Sequence, residues 1–215
     1  MSRLNKRMKN KNWKRLFLIL LTVNVAIVVL LLALIFWPVP EKEFPDVTET
    51  TEQVSSEFTI RTTKENLNEL INAYLSEWLK NTEHQYKISL EEDVHLLGEL
   101  PVFSTKVPLS VHFEPIVQEN GDVILKQKSI SLGLLELPNK KIMEYIDKYL
   151  PTPEWVVINP KEEEIYVAVT DMDIRSNFEV AVDHIDLEAN NLAIKIRVPY
   201  ETLGIDPAEE DRILD

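Results

Sequence analysis

Histidines and paired carboxylates are the residues of this 215-residue sequence whose types could do chemistry. The four histidines are His84, His95, His112 and His184, and no two share the i, i+4 spacing that places two metal ligands on one helix face. Each is interpreted as a solvated strand or loop residue, and His112 falls on the polar side of its predicted strand. No metal site is expected.

Asp171 and Asp173 are the carboxylates with the most suggestive spacing, because residues two apart on a strand share a face. They follow a predicted strand end, however, and lack the glycine and the distal glutamate of a calcium loop. A solvated turn is the favoured interpretation, with a catalytic or metal site as the alternative. The acidic run 162–164 is interpreted as an exposed loop.

Sequence patterns of common enzymes are absent. The chain has no G-x-S-x-G, S-x-x-K, P-loop or dinucleotide fingerprint, and it has no cysteine nucleophile. Its four glycines leave little material for a phosphate-binding loop. We therefore expect a protein that is not an enzyme and that needs no cofactor.

The N-terminal region predicts a membrane anchor. Residues 1–15 contain seven basic and no acidic residues, whereas the remaining 200 residues carry a formal charge of −20. Residues 16–37 form an uncharged, mostly apolar run that would span about 33 Å as a helix, which is bilayer thickness. This predicts a basic cytoplasmic tail (1–15), one transmembrane helix (16–37) and an extracellular remainder in the cell membrane. A cleaved signal peptide, the alternative, would have a shorter apolar region and a small-residue cleavage site.

Composition divides the rest of the chain into three parts. Residues 38–56, rich in Pro, Thr and Glu, predict an extended tether. Residues 57–207 are enough for one core and predict a single extracytoplasmic α+β domain, followed by an acidic C-terminal tail (208–215). Without cysteine, this domain must fold without disulfides. Its acidic character argues against nucleic acid as a partner.

Two amphipathic helices are predicted in the outer domain. The first begins at Thr62, which has the spacing of a capping box with Glu65 three residues later. Its apolar residues recur at i, i+3 and i+4 over four turns. Trp78 lies on that stripe and is expected to be buried. The second helix runs from about residue 139 to 150 and is stopped by the prolines that follow.

Alternating apolar and polar residues predict antiparallel strands through most of the remainder, with a hairpin turn at Asn120-Gly121 and a second meander near residues 165–198. The alternation slips by one residue between Leu125 and Ile130, and again between Val182 and Ile185. A β-bulge absorbs such a slip and bends the strand. We therefore expect a strongly curved antiparallel sheet wrapped around both helices.

Several stretches resemble the YpmS-like family of uncharacterised Gram-positive membrane proteins. They are residues 13–17 (WKRLF), 70–75 (LINAYL), 131–138 (SLGLLELP), 150–151 (LP) and 154–156 (EWV). The order of helices, strands and leucine-proline turn also resembles the tubular lipid-binding proteins, in which a curled sheet wraps a helix and leaves an apolar groove. That second resemblance implies a lipid-binding-like architecture.

We expect the outer domain to bind lipid, or an apolar part of an envelope polymer, in a groove between the sheet and its helices. The alternative is a protein-interaction or scaffold domain of a cell-envelope complex, which would use an exposed edge strand and the acidic surface. The groove candidates are apolar residues on the predicted inward faces: Leu67, Ile71, Tyr74, Leu109, Val111, Ile130, Leu132, Ile142, Ile146 and Val180.

Overall fold

A computed structural model describes residues 5–35, 55–82, 84–102, 105–134, 137–172, 174 and 177–204. The chain divides into two compact units, Met1–Pro38 and Val39–Asp215. The predicted tether up to residue 54, the predicted acidic tail and Asp173 lie outside the described residues.

The first unit contains one long helix, α1 (Asn5–Ile35). Its segment Trp13–Leu34 is apolar and long enough to cross a membrane. Thr22 and Asn24 interrupt the apolar run, but each side chain donates a hydrogen bond to the carbonyl oxygen four residues earlier, at 2.9 Å in both cases. Their polar groups are therefore satisfied within the helix, as a lipid environment requires. A helix of this kind near the N-terminus suits a membrane anchor or a signal sequence.

The second unit has α+β architecture, which confirms the predicted class. Its helices are α2 (Lys64–Trp78) and α3 (Asn139–Tyr149). Its described strands are β1 (Ser55–Thr62), β2 (Tyr86–Leu90), β3 (Val94–Val102), β4 (Thr105–Val117), β5 (Val123–Leu132), β6 (Val156–Asn159), β7 (Glu164–Val167), β8 (Glu179–Asp186) and β9 (Asn191–Pro199). All paired strands are antiparallel, and they form a six-stranded sheet in the order β2-β3-β4-β5-β7-β6 and a three-stranded sheet in the order β1-β9-β8.

The core is formed by α3, the six-stranded sheet and part of the three-stranded sheet. Ile142, Met143 and Ile146 on α3 are at most 2% exposed, because they share one face of the helix at i, i+1 and i+4. On β4, every second residue points toward the same core. The buried residues that form this cluster come from both sheets and α3: Leu90, Val94, Leu96, Leu100, Leu109, Val111, Phe113, Leu132, Ile142, Met143, Ile146, Ile158, Ile165, Leu187 and Leu192.

Both predicted slips in the alternation coincide with irregularities in strand register. On β5, Lys128 is the extra residue between the pairs His112↔Ser129 and Phe113↔Gln127. On β8, Asp183 is the extra residue beside β9. Each bulge returns the following apolar residues to the face they occupied before it.

The expected strong curvature of the sheet is wrong, since neither sheet is strongly curled. The strands are shared between two separate sheets, so no continuous sheet can wrap around both helices. The predicted second meander is also divided, because β7 pairs with β5 and β6 while β8 pairs with β9. Each bulge corrects the alternation locally without closing the sheet.

Gly98 on β3 makes room for the ring of Tyr86, which lies opposite it on β2. A β-carbon at position 98 would lie 2.2 Å from Cδ1 of Tyr86. The Tyr86 ring packs against the core, and burial raises the pKa of its phenol to about 12. Gly98→Ala should therefore lower the free energy of unfolding by about 1–3 kcal/mol, because the ring must leave its place.

Urea-induced unfolding, followed by circular dichroism, measures this effect. In a Tyr86→Ala background the same Gly98→Ala change should cost much less, because the obstructing ring is gone. Equal losses in the two backgrounds would show that the ring does not lie over Gly98.

Candidate functional site

The helix α2 covers the free edge of β2. The side-chain amide of Asn72 accepts a hydrogen bond from Ile88 N at 3.0 Å and donates one to Ile88 O at 2.7 Å, as a neighbouring strand would. Covering an edge in this way prevents pairing with other chains. At the start of α2, Thr63 Oγ1 accepts from Asn66 N at 3.4 Å, so the cap lies one residue after the predicted Thr62.

The apolar stripe of α2 divides into two rows. Leu67 and Ile71 belong to the inner row, and they are half-buried and pack against the core. Leu70, Tyr74 and Trp78 form the outer row and are 64%, 38% and 44% exposed. The prediction that Trp78 is buried is therefore wrong, because the stripe is wider than the surface that the sheet offers to it.

Tyr74 and Trp78 of the outer row, together with Trp155, form a group of three rings that we call the aromatic cluster, in which Tyr74 contacts both other rings. Tyr74 and Trp78 stack with centroids 6.3 Å apart and planes at 12°, and Tyr74 meets Trp155 at 5.8 Å and 51°. Trp155 precedes β6, and its carbonyl oxygen accepts from Ala168 N at 2.8 Å, which fixes its backbone beside β7. The cluster thus joins α2 to the segment that leads from α3 into β6.

The chemistry of the aromatic cluster suits an apolar or amphipathic ligand. Indole and phenol rings combine a large apolar surface with one polar group at the edge. Glu77 and Lys80, at the same end of α2, pair with each other at 3.4 Å. These two charges, which are close to Trp78 in sequence, are therefore matched to each other.

The ten predicted groove residues do not line one open surface. Five of them are at most 3% exposed and belong to the core: Leu109, Val111, Leu132, Ile142 and Ile146. A ligand touching these side chains would have to enter a packed interior. Leu67, Ile71 and Ile130 are half-buried around this core.

Tyr74 and Val180 are the two predicted groove residues that lie elsewhere. Tyr74 is exposed in the aromatic cluster. Val180 lies on β8 opposite Ile196, in the three-stranded sheet, and it is not among the described residues that pack against the core. Tyr74 is therefore the predicted residue that coincides with the candidate site.

Trp78 and Trp155 complete the candidate site, and sequence reasoning did not assign them to it. The available signal was the width of the α2 stripe, because seven apolar residues over four turns exceed what one packed face needs. That excess could have suggested an exposed apolar row.

Strand register brings together two histidines that are far apart in sequence. His95 on β3 lies opposite His112 on β4, and their rings stack with centroids 3.9 Å apart and planes at 17°. His112 is also bound by Asp93, so the prediction of a merely solvated strand residue is incomplete. His84 and His184 contact Tyr86 and Asp183 respectively.

The two histidines have a serine and an aspartate as neighbours, but these four residues are not arranged as a catalytic triad. Ser110 Oγ lies 2.8 Å from His95 Nε2, whereas Asp93 Oδ1 lies 3.0 Å from Nδ1 of the other histidine, His112. A triad needs serine and carboxylate on the two nitrogens of one imidazole. Asp93 is additionally 3.7 Å from Lys128 Nζ. Within the described part of the chain, no group of three or more His, Asp or Glu side chains is arranged to hold a metal.

The histidine pair predicts a pH dependence of stability. Burial lowers the pKa of His95, and the neighbouring His112 lowers it further, against the opposing carboxylates of Asp93 and Glu91. The folded protein therefore binds this proton less readily than the unfolded chain, whose histidine titrates near 6.5. The contribution to stability is complete above that pH and is lost as the pH falls through it toward the folded pKa.

His95→Gln should therefore lose less stability than the parent when the pH is lowered from about 8 to about 5.5, a range that brackets the histidine pKa. Urea midpoints of both proteins at each pH measure the difference. An equal or larger loss in the variant would show that His95 does not contribute in this direction.

A buried carboxylate forms a second polar network that sequence reasoning missed. Asp122, in the turn between β4 and β5, is 2% exposed. Its Oδ1 accepts from Thr170 N at 3.0 Å and Thr170 Oγ1 at 2.9 Å, and its Oδ2 accepts from Asn120 Nδ2 at 2.6 Å and from the Tyr166 hydroxyl. These four bonds occupy the acceptor sites of the carboxylate. The network joins the hairpin turn to the segment after β7 and has a structural role.

The carboxylates singled out in the sequence lie apart from this network. Asp171 is exposed at the end of a short 3-10 helix (Val169–Asp171). In the acidic run, Glu162 is exposed, but Glu164 begins β7 and pairs with Lys126 at 3.6 Å. The exposed loop predicted for this run is therefore shorter than expected.

Comparison with known proteins assigns the family. Residues 11–198 match the family described as "Uncharacterized protein conserved in bacteria (DUF2140)". The chain is 33% identical over 189 residues to "Uncharacterized protein YpmS" of Bacillus subtilis (strain 168), an alignment that covers 88% of this chain and 98% of that protein. No solved structure matches. The resemblance to the YpmS-like proteins is thereby confirmed, and the chain belongs to the DUF2140 family.

Proposed function

We propose that this protein is a single-pass membrane protein whose outer domain binds lipid, or an apolar part of an envelope polymer, at the aromatic cluster. The proposed role is binding without catalysis. The observation that carries it is the exposure of Tyr74 and Trp78, whose stacked rings meet the half-buried Trp155 through Tyr74 beside the inner row of α2.

The orientation follows from charge. The seven basic residues before the apolar helix favour the cytoplasmic side, and the acidic remainder favours the outside. Protease added to intact protoplasts should therefore remove the outer domain. Cleavage that requires lysis of the cells would reverse the proposed orientation.

The ligand class follows from the surroundings of the aromatic cluster. Leu70 extends the apolar row from the rings along α2. An acyl or prenyl chain lying on this row would cover Leu70 and the ring faces, while the polar edges of the rings stay in water. The inner row and the core close the space behind it, so the proposed site is a shallow surface seam rather than a deep groove.

Native mass spectrometry tests the proposal on the soluble second unit, residues 39–215. This unit is purified after exposure to a bacterial membrane extract, and we expect it to carry bound lipid. A Tyr74→Ala, Trp78→Ala double variant should carry much less, because the ligand loses two of its three ring contacts.

Tyr149→Ala is the matched control. Tyr149 is 43% exposed on α3, close to the exposure of Trp78, and it contacts Tyr145 rather than the aromatic cluster. This variant should retain the lipid. A parent protein without lipid, or a double variant that keeps it, would contradict the proposal.

A protein-interaction or scaffold role is the second candidate, and the edge strand β1 favours it. Five successive residues of β1, from Glu57 to Arg61, are exposed, and they include Phe58 and Ile60. An edge strand with apolar side chains offers both backbone groups and side chains to a partner strand. A lipid-free second unit that recovers a defined envelope protein through β1 would favour this role over lipid binding.

A further inference from the structure

The strand β1 is an open edge of the three-stranded sheet. It pairs with β9 on one side and is last in the order β1-β9-β8, so no described strand lies on its other side. Phe58 and Ile60 are 56% and 48% exposed, on the face that also carries their β9 partners Ile196 and Ile194. Unlike β2, whose edge is bonded by Asn72, this edge has no cover among the described residues.

The sequence of β1 is complementary to a second copy of β1 that runs in the opposite direction. In an antiparallel pair centred on Thr59, Glu57 lies opposite Arg61 of a second copy, and Phe58 lies opposite Ile60. Opposite charges and aromatic-aliphatic pairs are the cross-strand combinations that stabilise a sheet. Each of these pairs occurs twice, because the arrangement has two-fold symmetry.

We propose that β1 pairs antiparallel with β1 of a second copy of this chain, in the register centred on Thr59. The two three-stranded sheets then form one continuous six-stranded sheet. Its apolar face carries Phe58 and Ile60 from both copies across the two-fold axis. This contact is separate from the aromatic cluster and does not depend on lipid binding there.

The register is specific. A shift of one residue would place Phe58 opposite a residue of the other sheet face. A shift of two residues keeps the faces but removes Glu57 from Arg61 of the second copy. Glu57 already lies near Lys195 and Arg197 of its own sheet, at 3.8 and 3.4 Å, so an additional Arg61 side chain extends an existing network of opposite charges.

Confinement in a membrane makes such a small contact effective. Each copy contributes at most the eight residues of β1, whereas a standard stable interface has roughly 20–30 residues on each side. The second unit without its membrane anchor should therefore dimerise weakly. Two copies held in one membrane have a high effective concentration. The nineteen residues from 36 to 54 can reach at most about 60–70 Å, which lets two anchored copies meet.

Cysteine cross-linking of the full chain in its membrane tests the proposal, because the chain contains no other cysteine. Thr59→Cys should give a covalent dimer with a short thiol-reactive reagent, since the two β-carbons would lie about 5 Å apart. Glu57→Cys alone should give no dimer above background, because its two copies would lie about 14 Å apart. Co-expressed Glu57→Cys and Arg61→Cys chains should cross-link with each other.

A charge exchange provides an independent readout. Glu57→Arg should abolish the dimer formed through Thr59→Cys, and co-expression with a chain that carries Arg61→Glu and Thr59→Cys should restore it in mixed dimers. The proposal is overturned if Thr59→Cys gives no dimer, if Glu57→Cys cross-links equally well, or if the product contains a different protein. Lipid retention by the aromatic cluster should be the same in all these variants.

Discussion

Phe113→Ala should lower the free energy of unfolding by about 3–5 kcal/mol, the range for deleting a fully buried phenyl ring. Phe113 is 1% exposed and belongs to the core cluster that also contains the buried face of α3. It continues the inward alternation of Leu109 and Val111 on β4, and the bulge at Lys128 lies on the partner strand β5. Urea-induced unfolding of the second unit measures the loss.

Trp78→Ala is the comparison for this experiment. Its ring is larger but 44% exposed, and its stacking on Tyr74 is worth about 0.5–1.5 kcal/mol. The variant should therefore lose about 1 kcal/mol, far less than Phe113→Ala. A larger loss for Trp78→Ala than for Phe113→Ala would show that α2 is packed and that the core is misplaced.

Asp122→Ala should destabilise the protein by a comparable amount, about 3–5 kcal/mol. The change leaves the Tyr166 hydroxyl, the Thr170 amide and hydroxyl, and the Asn120 amide without their shared acceptor. Tyr166 is buried, so the loss of its acceptor costs about 1–3 kcal/mol. The bonds from the half-buried Asn120 and the exposed Thr170 are charge-assisted, and water entering the vacated space replaces part of what they lose. The same unfolding measurement applies.

Thr170→Val is the matched control, because it removes one donor and leaves the carboxylate with three. It should cost about 1 kcal/mol. If Asp122→Ala cost no more than Thr170→Val, the carboxylate would be dispensable, and its position in the turn would reflect turn preference alone.

The spacing of apolar, glycine and proline residues correctly predicted the helix α3, one hairpin turn and two bulges, because each of these depends on residues close together in sequence. The 139–150 helix agrees with α3 within one residue, because its apolar residues share one face and prolines follow it. The turn at Asn120-Gly121 joins β4 to β5, with Gly121 at a φ of 92°, a conformation that glycine adopts readily. The two slips in alternation correctly placed register irregularities near Lys128 and Asp183.

Relations between distant segments were not predictable from those patterns. Alternation marks a strand but does not choose its partner, so the division into two sheets and the contact of His95 with His112 depend on register. The strand β1 was also missed, and it begins two residues inside the predicted tether. Its Ser and Thr residues, with a charge at each end of the alternating stretch, weaken the apolar signal.

The candidate site was predicted only in part for the same reason. Apolar residues at inward spacing mark a packed surface, and Leu109, Val111, Leu132, Ile142 and Ile146 are indeed packed. Spacing does not say whether a packed surface faces the protein or a ligand. Exposure distinguishes the two, and it moves the candidate site from the interior to the outer row of α2.

Photo-cross-linking at position 78 tests the proposed lipid site most directly. A full chain with benzoylphenylalanine in place of Trp78 is illuminated in its native membrane, and adducts are identified by mass spectrometry. The proposal predicts a lipid or apolar polymer adduct at position 78 and none when the same group replaces Lys87, an exposed residue on β2. Absence of such an adduct at position 78, or equal labelling at both positions, would contradict the proposed site.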